Sequence, residues 1–252
     1  MLRTRVIPCL LLRGQGLVKT IRFKNPTYVG DPINAVRIFN DKEVDELVFL
    51  DITATVEKRV PQMELIQDIA TECFMPVGYG GGIHDVETAK KILKMGSEKV
   101  IFNTAATDLE LIREAADLFG SQSVVVSIDV KRDRTGKYQV FTHSGTVNAR
   151  RNPIQYAKSV EDAGSGEILL NSIDCDGTME GYDIELLKSV TSAVNVPVVA
   201  CGGAGNLGHF QEAILKGGAS AVSAGSMFVF HGPHRAVLIN YPTQDELKKY
   251  LK

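Results

Sequence analysis

Two carboxylates of this sequence stand at the ends of short apolar runs, where strands would deliver them to a common edge. Asp129 lies near the end of the run 124–130, and Asp51 lies near the end of the run 47–52. A positioned carboxylate can take up a proton during a reaction and return it. Asp129 and Asp51 are therefore the candidate catalytic residues. The alternative for Asp51 is orientation of a neighbouring loop or of Lys19.

Two glycine-rich loops, each paired with a hydroxyl-bearing loop after the next run, predict a second kind of chemistry. Gly80-Gly81-Gly82 precedes Asn103-Thr104 at the end of the next run, and Gly202-Gly203 precedes Gly225-Ser226 in the same way. Glycine lets backbone N–H groups approach an anion, and a following helix N-terminus favours negative charge. Two phosphate sites are predicted, which suits a substrate phosphorylated at both ends. Tight turns are the alternative for either loop alone.

The two halves of the sequence are versions of one another. Pro76-Val-Gly-Tyr-Gly-Gly-Gly-Ile83 recurs as Pro197-Val-Val-Ala-Cys-Gly-Gly-Ala204, and the run after Arg5 aligns with the run after Ser123. This doubling predicts half-barrels of about 1–120 and 121–252. In this alignment Leu11 occupies the place that Asp129 has in the second half.

Short β-branched runs alternate with longer helical patterns along the whole chain, which predicts parallel strands buried on both faces. The predicted strands are Val6–Leu12, Leu47–Ile52, Pro76–Gly78, Val100–Asn103, Val124–Val130, Ile168–Asn171, Val196–Ala200 and Ala221–Gly225. The predicted helices are Asp31–Asn40, Gln62–Glu72, Asp85–Met95, Leu109–Phe119, Pro153–Ala163, Asp183–Ala193 and Leu207–Lys216. Eight such units with an internal repeat favour an α/β fold, a single (β/α)8 TIM barrel that spans residues 1–252.

Composition excludes several classes of function. The chain has 252 residues, of which 44 % are hydrophobic and 23 % are charged, and its net charge is −2. This balance gives no electrostatic reason to expect a nucleic acid or membrane partner. The cysteines are scattered, which favours buried free thiols over disulfides or a metal site. They are Cys9, Cys73, Cys175 and Cys201. We expect a cytoplasmic protein with no cofactor and no metal.

Six motifs are distributed along almost the whole chain. They are Arg5-Val-Ile-Pro-Cys9, Asp45-Glu-Leu-Val-Phe-Leu-Asp-Ile-Thr53, Gly80-Gly-Gly-Ile83, Gly166-Glu-Ile-Leu-Leu170, Asp174-Cys-Asp-Gly-Thr178 and Gly202-Gly-Ala-Gly205. Together they resemble the HisF family, the cyclase subunit of imidazole glycerol phosphate synthase. The resemblance implies a (β/α)8 barrel, a substrate with two phosphates and a HisH-like glutaminase subunit that supplies ammonia. By position or by nearness to the same mouth, the substrate-binding set is Lys19, Gly81, Gly82, Asn103, Thr104, Asn171, Asp176, Gly177, Gly202, Gly203, Gly225 and Ser226.

Four charges directly precede apolar runs, with signs that alternate around the predicted barrel. They are Arg5, Glu46, Lys99 and Glu167. Solvated strand starts would explain any one of them, but the resemblance implies a salt-bridged gate where ammonia enters. Beyond such a gate, we expect Cys9, Val126, Val198 and Val222 to line a path for NH₃.

Position 11 departs from the family pattern, because Leu11 stands where HisF has an aspartate. Leucine cannot transfer a proton. The first loop also lacks the acidic sequence typical of the family, and Asn171 replaces threonine. These changes favour a paralogue that acts on another phosphorylated or nucleotide-sugar acceptor, resembling those linked to sugar amidination in bacterial surface polysaccharides. The alternatives are the histidine-pathway cyclase itself, a non-catalytic ammonia conduit that activates a glutaminase, and a sugar isomerase.

Overall fold

The short apolar runs form parallel strands in a computed structural model that describes residues 4–251. The strands are β1 (Arg5–Arg13), β2 (Gly16–Ile21), β3 (Lys24–Gly30), β4 (Leu47–Asp51), β5 (Val77–Gly80), β6 (Lys99–Phe102), β7 (Val124–Arg132), β8 (Tyr138–Thr142), β9 (Val147–Asn148), β10 (Glu167–Ser172), β11 (Val198–Cys201), β12 (Ala221–Ala224), β13 (Phe230–His231) and β14 (Ala236–Val237). Eight of them form a closed ring of parallel pairs in the order β1-β4-β5-β6-β7-β10-β11-β12, and β12 pairs with β1. This confirms the predicted (β/α)8 barrel.

Helices alternate with the barrel strands and pack on their outer surface. They are α1 (Pro32–Asp41), α2 (Met63–Glu72), α3 (Val86–Lys94), α4 (Leu109–Phe119), α5 (Pro153–Asp162), α6 (Ile184–Thr191), α7 (Leu207–Leu215), α8 (Ser226–Val229) and α9 (Gln244–Tyr250). Local caps fix their starts. Asp31 accepts a hydrogen bond from the backbone of Asn34, and Asp85 accepts one from Thr88. Within residues 4–251, no helix is long and apolar enough to span a bilayer.

The barrel strands have two buried faces that belong to different cores. The larger core lies between strands and helices. The smaller core fills the barrel and includes Ile7, Val48, Val125, Leu169 and Val199. Since successive side chains point to opposite faces of a strand, the inward positions of each strand share one parity.

This parity corrects the predicted lining of the barrel. Cys9 belongs to the interior core, as expected. Val126, Val198 and Val222 instead belong to the outer core between strands and helices. Each is one residue away from an inward position, and a one-residue offset turns a side chain to the other face. The interior is still apolar, but Val125, Val199 and Ala221 line it in their place.

Antiparallel hairpins, which the sequence patterns did not predict, extend the C-terminal end of the barrel. Strands β2 and β3 pair after β1, and β8 pairs with both β7 and β9. A separate two-stranded sheet joins β13 and β14. The hairpins bring additional side chains over the end of the barrel where the predicted site lies.

The four cysteines are free thiols, as predicted, but they differ in burial. Cys9 and Cys201 are buried inside the barrel, whereas Cys73 and Cys175 are half-buried. Cys73 follows α2 and Cys175 lies in the loop after β10. Loop positions of this kind leave one side of the residue near solvent, which the scattered spacing alone did not indicate.

Candidate functional site

An open cavity lies at the C-terminal ends of the barrel strands, and we call it the main cavity. It contains both predicted catalytic residues and every predicted substrate-binding residue except one. Gly82 lines a side cavity of about 950 Å³, which shares Gly81, Asn103 and Thr104 with the main cavity. The structure therefore brings the glycine loops of both halves to one mouth.

Asp129 is the buried acid of the main cavity. It lies on an inward position of β7, and Asn103 Nδ2 donates to its Oδ2 atom at 3.1 Å. Burial raises the pKa of Asp129 to about 7, and the nearby charge of Asp176 acts in the same direction. A carboxyl group with a pKa near neutrality can both accept and release a proton at physiological pH. Asp129 thus has the properties of a general acid–base group.

Asp176 is the second buried carboxylate of the cavity, on the loop after β10. Thr20 donates its hydroxyl to Asp176 Oδ2 at 2.8 Å, and the backbone N–H of Phe23 donates to the same oxygen at 3.3 Å. Burial raises the pKa of Asp176, while the hydrogen bond from Thr20 opposes the rise. These contacts attach the β2–β3 hairpin to the loop after β10, so Asp176 positions the hairpin as well as facing Asp129.

Lys19 lies within the cavity wall rather than at its surface. Its ammonium group donates to the backbone oxygen of Cys9. A β-carbon at position 225 would lie 2.1 Å from Lys19 Nζ, so Gly225 leaves the space that the lysine fills. Burial lowers the pKa of Lys19. A nearby anion would stabilise the charged form of this lysine.

Asp51 is held by its own loop. Arg59 Nη1 lies 2.9 Å from Asp51 Oδ2, and the backbone N–H groups of Thr53 and Ala54 both donate to Oδ1 at 3.1 Å. Asp51 follows the inward residue Leu50 on β4, so its side chain points away from the barrel axis. These contacts support the alternative role for Asp51, orientation of the loop 51–59, and we do not propose it for proton transfer.

The glycines of the two loops adopt backbone conformations that other residues rarely reach. Gly81 and Gly203 have φ angles of 110° and 116°. A β-carbon on Gly81 would lie 2.3 Å from the backbone oxygen of Asp51, and one on Gly203 would lie 2.0 Å from that of Gly181. Tight packing of the chain therefore explains these glycines by itself. Evidence for an anion site must come from polar groups beside them.

Two buried polar atoms line the main cavity beside the glycines of residues 121–252. Ser226 Oγ and Asn171 Oδ1 are buried and make no hydrogen bond with any part of residues 4–251. Ser226 is 5 % exposed and Asn171 is 7 % exposed. Buried polar atoms are rarely left unsatisfied in folded proteins. For a ligand that enters the main cavity, the Ser226 hydroxyl can donate to an anion, whereas Asn171 Oδ1 can only accept a hydrogen bond, for example from a hydroxyl or an N–H group.

Some residues of the site were not predicted from the sequence. The side cavity is also lined by Lys58, Arg59 and His84, whose cationic or ionisable groups lie beside Gly82. Phe23 and Ser144 line the main cavity from the β2–β3 hairpin and from the turn between β8 and β9. In the sequence, these five residues are distinguished only by their position in long polar segments between a strand and a helix.

The hairpins that frame the main cavity are strongly basic. Segments 13–30 and 131–151 together contain ten lysine and arginine residues and one acidic residue, although the whole chain has a net charge of −2. Within the described residues, an ion pair in these segments joins Arg132 and Glu185. A concentration of one charge sign around a cleft raises the local concentration of oppositely charged ligands.

The four predicted gate residues meet at the opposite end of the barrel. Lys99 Nζ lies 2.8 Å from Glu46 Oε1 and 2.8 Å from Glu167 Oε2. Arg5 forms ion pairs with both glutamates. The side chains of Glu46 and Glu167 are only 4 % and 9 % exposed. We call these four residues the charged ring, because two cations and two carboxylates alternate around the barrel axis.

Comparison with known proteins identifies the family. A model of the histidine biosynthesis protein family matches residues 5–234. The chain belongs to this family. A protein of Pseudomonas aeruginosa, provisionally named imidazole glycerol phosphate synthase subunit hisF2, is 56 % identical over 98 % of this chain and 99 % of its own length.

Other relatives of the family have the same provisional subunit name. The HisF relative of Leptospira interrogans is 50 % identical over 98 % of each chain. The hisF3 relative of Vibrio vulnificus is 46 % identical over 100 % of this chain and 98 % of its own length. The resemblance to HisF and to its divergent paralogues is thereby confirmed.

Proposed function

We propose that this chain is the ammonia-accepting synthase subunit of a glutamine amidotransferase. A HisH-like glutaminase subunit would bind at the charged ring and release ammonia there, in the cytoplasm. The acceptor would be a phosphorylated small molecule or a nucleotide sugar in the main cavity. The observation that carries the proposal is the shared interior: the charged ring and Asp129 occupy inward positions at opposite ends of one apolar barrel.

The interior suits the transfer of neutral ammonia. Between the charged ring and the cavity, most inward residues are hydrocarbon or thiol side chains, including Ile7, Val125 and Leu169. The inward hydroxyl of Ser223 is occupied, because it donates to the backbone oxygen of Ile7. An ammonium ion would lose its hydration in this lining at a large free-energy cost, whereas NH₃ has no net charge. The lining therefore favours passage of NH₃ over NH₄⁺.

Exposed apolar side chains support the proposed binding of a glutaminase at the end of the barrel that carries the charged ring. Phe74 lies in the turn that leads into β5 and is 87 % exposed, and Leu118 lies at the end of α4 and is 59 % exposed. Large exposed aromatic residues are enriched in protein interfaces. A glutaminase bound at this end would release ammonia next to the charged ring.

Asp129 would perform the proton transfers of ammonia addition. When NH₃ attacks a carbonyl carbon of the acceptor, the C=O π electrons move to oxygen and the nitrogen becomes positively charged. Asp129 takes a proton from this nitrogen and returns it to the oxygen, which yields a neutral carbinolamine. One carboxyl group is sufficient for this addition. When an amidine forms, the same group gives a proton to the hydroxyl that leaves as water and then takes one from the nitrogen. Positioned acid–base groups of this kind contribute about 10²–10⁴-fold to rate.

The acceptor would differ from the substrate of the histidine-pathway cyclase. Cyclisation needs one group to take protons and another to give them, and Leu11 supplies neither opposite Asp129. We propose a paralogue that serves the amidination of a nucleotide-linked sugar in bacterial polysaccharide synthesis. The numbered names of the hisF2 and hisF3 relatives support duplication of the gene in other organisms. The phosphate-site residues favour the histidine-pathway cyclase as the second candidate.

A coupled assay tests these proposals. The chain and its glutaminase are supplied with glutamine or with ammonium, and with either the histidine-pathway substrate or nucleotide sugars. We expect turnover of a nucleotide sugar and none of the histidine-pathway substrate, with Leu11→Asp increasing activity on the latter. Leu238→Asp, at an exposed leucine outside the cavity, is the matched control. Efficient turnover of the histidine-pathway substrate by the unchanged chain would refute the paralogue. Activation of the glutaminase without turnover of any acceptor would favour the conduit.

A further inference from the structure

One side of the main cavity is made of hydrocarbon. Leu11 on β1 is directly opposite Leu50 on β4 in the parallel register. Ile101 on β6 lines the same cavity. We call Leu11, Leu50 and Ile101 the hydrocarbon wall.

Gly80 makes the hydrocarbon wall continuous. A β-carbon at Gly80 on β5 would lie 2.9 Å from Leu50 Cδ2 and 3.0 Å from Ile101 Cβ. Leu50 and Ile101 therefore flank the backbone of β5 closely, and β5 contributes no side chain between them. The apolar side chains extend from β1 and β4 across β5 to Ile101 on β6, and Asn103, two residues after Ile101, begins the polar part of the cavity lining.

Strands β7 and β10 present polar groups to the same cavity. Asp129 on β7 and Asn171 on β10 are register partners, and Asn103 donates to Asp129. The unpartnered Oδ1 atom of Asn171 lies on this side. A ligand in the cavity is therefore bounded by polar groups on one side and by hydrocarbon on the other.

Leu11 and Leu50 remain partly exposed in the described structure, although most inward side chains are buried. Their exposed atoms face the cavity, because both side chains line it. An apolar group placed there would remove this surface from water. A hydroxyl or charged group placed there would lose hydration without gaining a hydrogen bond.

We propose that the hydrocarbon wall selects an acceptor with an uncharged alkyl substituent next to the reacting carbon. This inference rests on the proposed function and deepens it by naming a feature of the acceptor. Leu11 is then a specificity-determining residue as well as a replacement for an acid. One methylene in such a pocket typically changes discrimination by roughly 10- to 200-fold.

Binding of a matched pair of probes tests the proposal without knowledge of the acceptor. n-Hexyl phosphate and D-glucitol 6-phosphate share a six-carbon chain and one phosphate and differ only in five hydroxyl groups. Their affinities are measured by NMR titration of the full chain with ¹³C-labelled leucine and isoleucine methyl groups. We expect hexyl phosphate to bind about tenfold or more tightly and to shift the methyl signals of Leu11 and Leu50.

Variants separate the hydrocarbon wall from general hydrophobic binding. Leu11→Asn should reduce the preference for hexyl phosphate by about tenfold, because a polar amide replaces hydrocarbon. Leu11→Met, with a side chain of similar size, should preserve the preference. Leu118→Asn, at an exposed leucine on α4, should leave it unchanged. Equal affinities in the unchanged chain, or a preference that Leu11→Asn does not alter, would overturn the proposal.

Failure of the phosphate sites has a different signature. If neither phosphate ester binds, the anion sites of the proposed function are wrong. Hexan-1-ol, the neutral probe, then decides about the hydrocarbon wall alone. Shifts of the Leu11 and Leu50 methyl signals with hexan-1-ol would support the wall, and their absence would reject it.

Discussion

The buried Asp129 should make the protein less stable as the pH rises. Its pKa is raised from 3.8 to about 7, so the folded state binds a proton more tightly than the unfolded chain does. The stability from this proton is fully present below pH 3.8 and is lost as the pH rises through 7. This pKa shift of about 3 units changes the free energy of unfolding by about 4 kcal/mol between low pH, where Asp129 is protonated in both states, and high pH, where it is ionised in both.

Asp129→Asn should remove this dependence. Asparagine is neutral at all pH values and has nearly the shape of protonated aspartate, and its carbonyl oxygen can accept the hydrogen bond from Asn103. At pH 8 the free energy of unfolding of the variant should therefore be about 4 kcal/mol higher than that of the unchanged chain, which means that the variant is more stable. The difference should be about 3 kcal/mol smaller at pH 5, because the unchanged chain is then largely protonated at this site.

Urea unfolding followed by circular dichroism, at several pH values between 5 and 8, measures the difference. The same variant should lose about 10²–10⁴-fold in ammonia-dependent turnover, so stability and activity change in opposite directions. In an Asp176→Asn background the pH-dependent difference should be smaller, because one cause of the raised pKa is gone. A difference that is constant with pH, or that shrinks as the pH rises, would refute the assignment of Asp129 as the near-neutral acid.

Three further predictions concern charges outside the centre of the cavity. Lys99→Met leaves Glu46 and Glu167 with only Arg5, so the free energy of unfolding in urea should fall by about 3–5 kcal/mol. Adding Glu167→Gln should recover much of this loss, and an unrecovered loss would contradict the ring as a balanced charge cluster. Arg59→Met, which removes the cation beside the buried Asp51, should lower stability by roughly 3 kcal/mol in thermal unfolding, and a loss below about 1 kcal/mol would contradict this pairing. For an anionic acceptor, kcat/KM should fall severalfold between 50 and 500 mM salt, since salt screens the basic hairpins, and a flat salt profile would exclude steering by them.

The sequence predicted the barrel because strands and helices alternate, but it did not predict which strand face is inward. Val125 and Val126 are both buried, one inside the barrel and one under the helices. A strand buried on both faces has no alternation of polar and apolar residues, so hydrophobicity alone does not reveal its parity. The polar ends of the strands do contain the signal, since Glu167 and Asn171 both lie an even number of residues from Leu169.

The residues of the candidate site could be predicted because glycine loops and strand ends have recognisable sequence patterns. The ion pair of Arg59 with Asp51 was not predicted, since it joins the last residue of β4 to a loop residue eight positions later, with no helical or strand period. The basic hairpins also gave no signal of regular structure. Strand β3 is almost wholly exposed and therefore lacks an apolar face from which a strand could be inferred.

Inward positions recur at every second residue of a strand, and this spacing constrains how the barrel can evolve. Arg5 and Leu11 are six residues apart on β1, so both belong to the same alternating series. Deletion of a single codon between them would turn one of the two side chains to the opposite face of the strand. The charged ring would then lose Arg5, or the main cavity would lose Leu11. New specificities should therefore arise by exchange of one inward residue for another, while the strand lengths stay fixed.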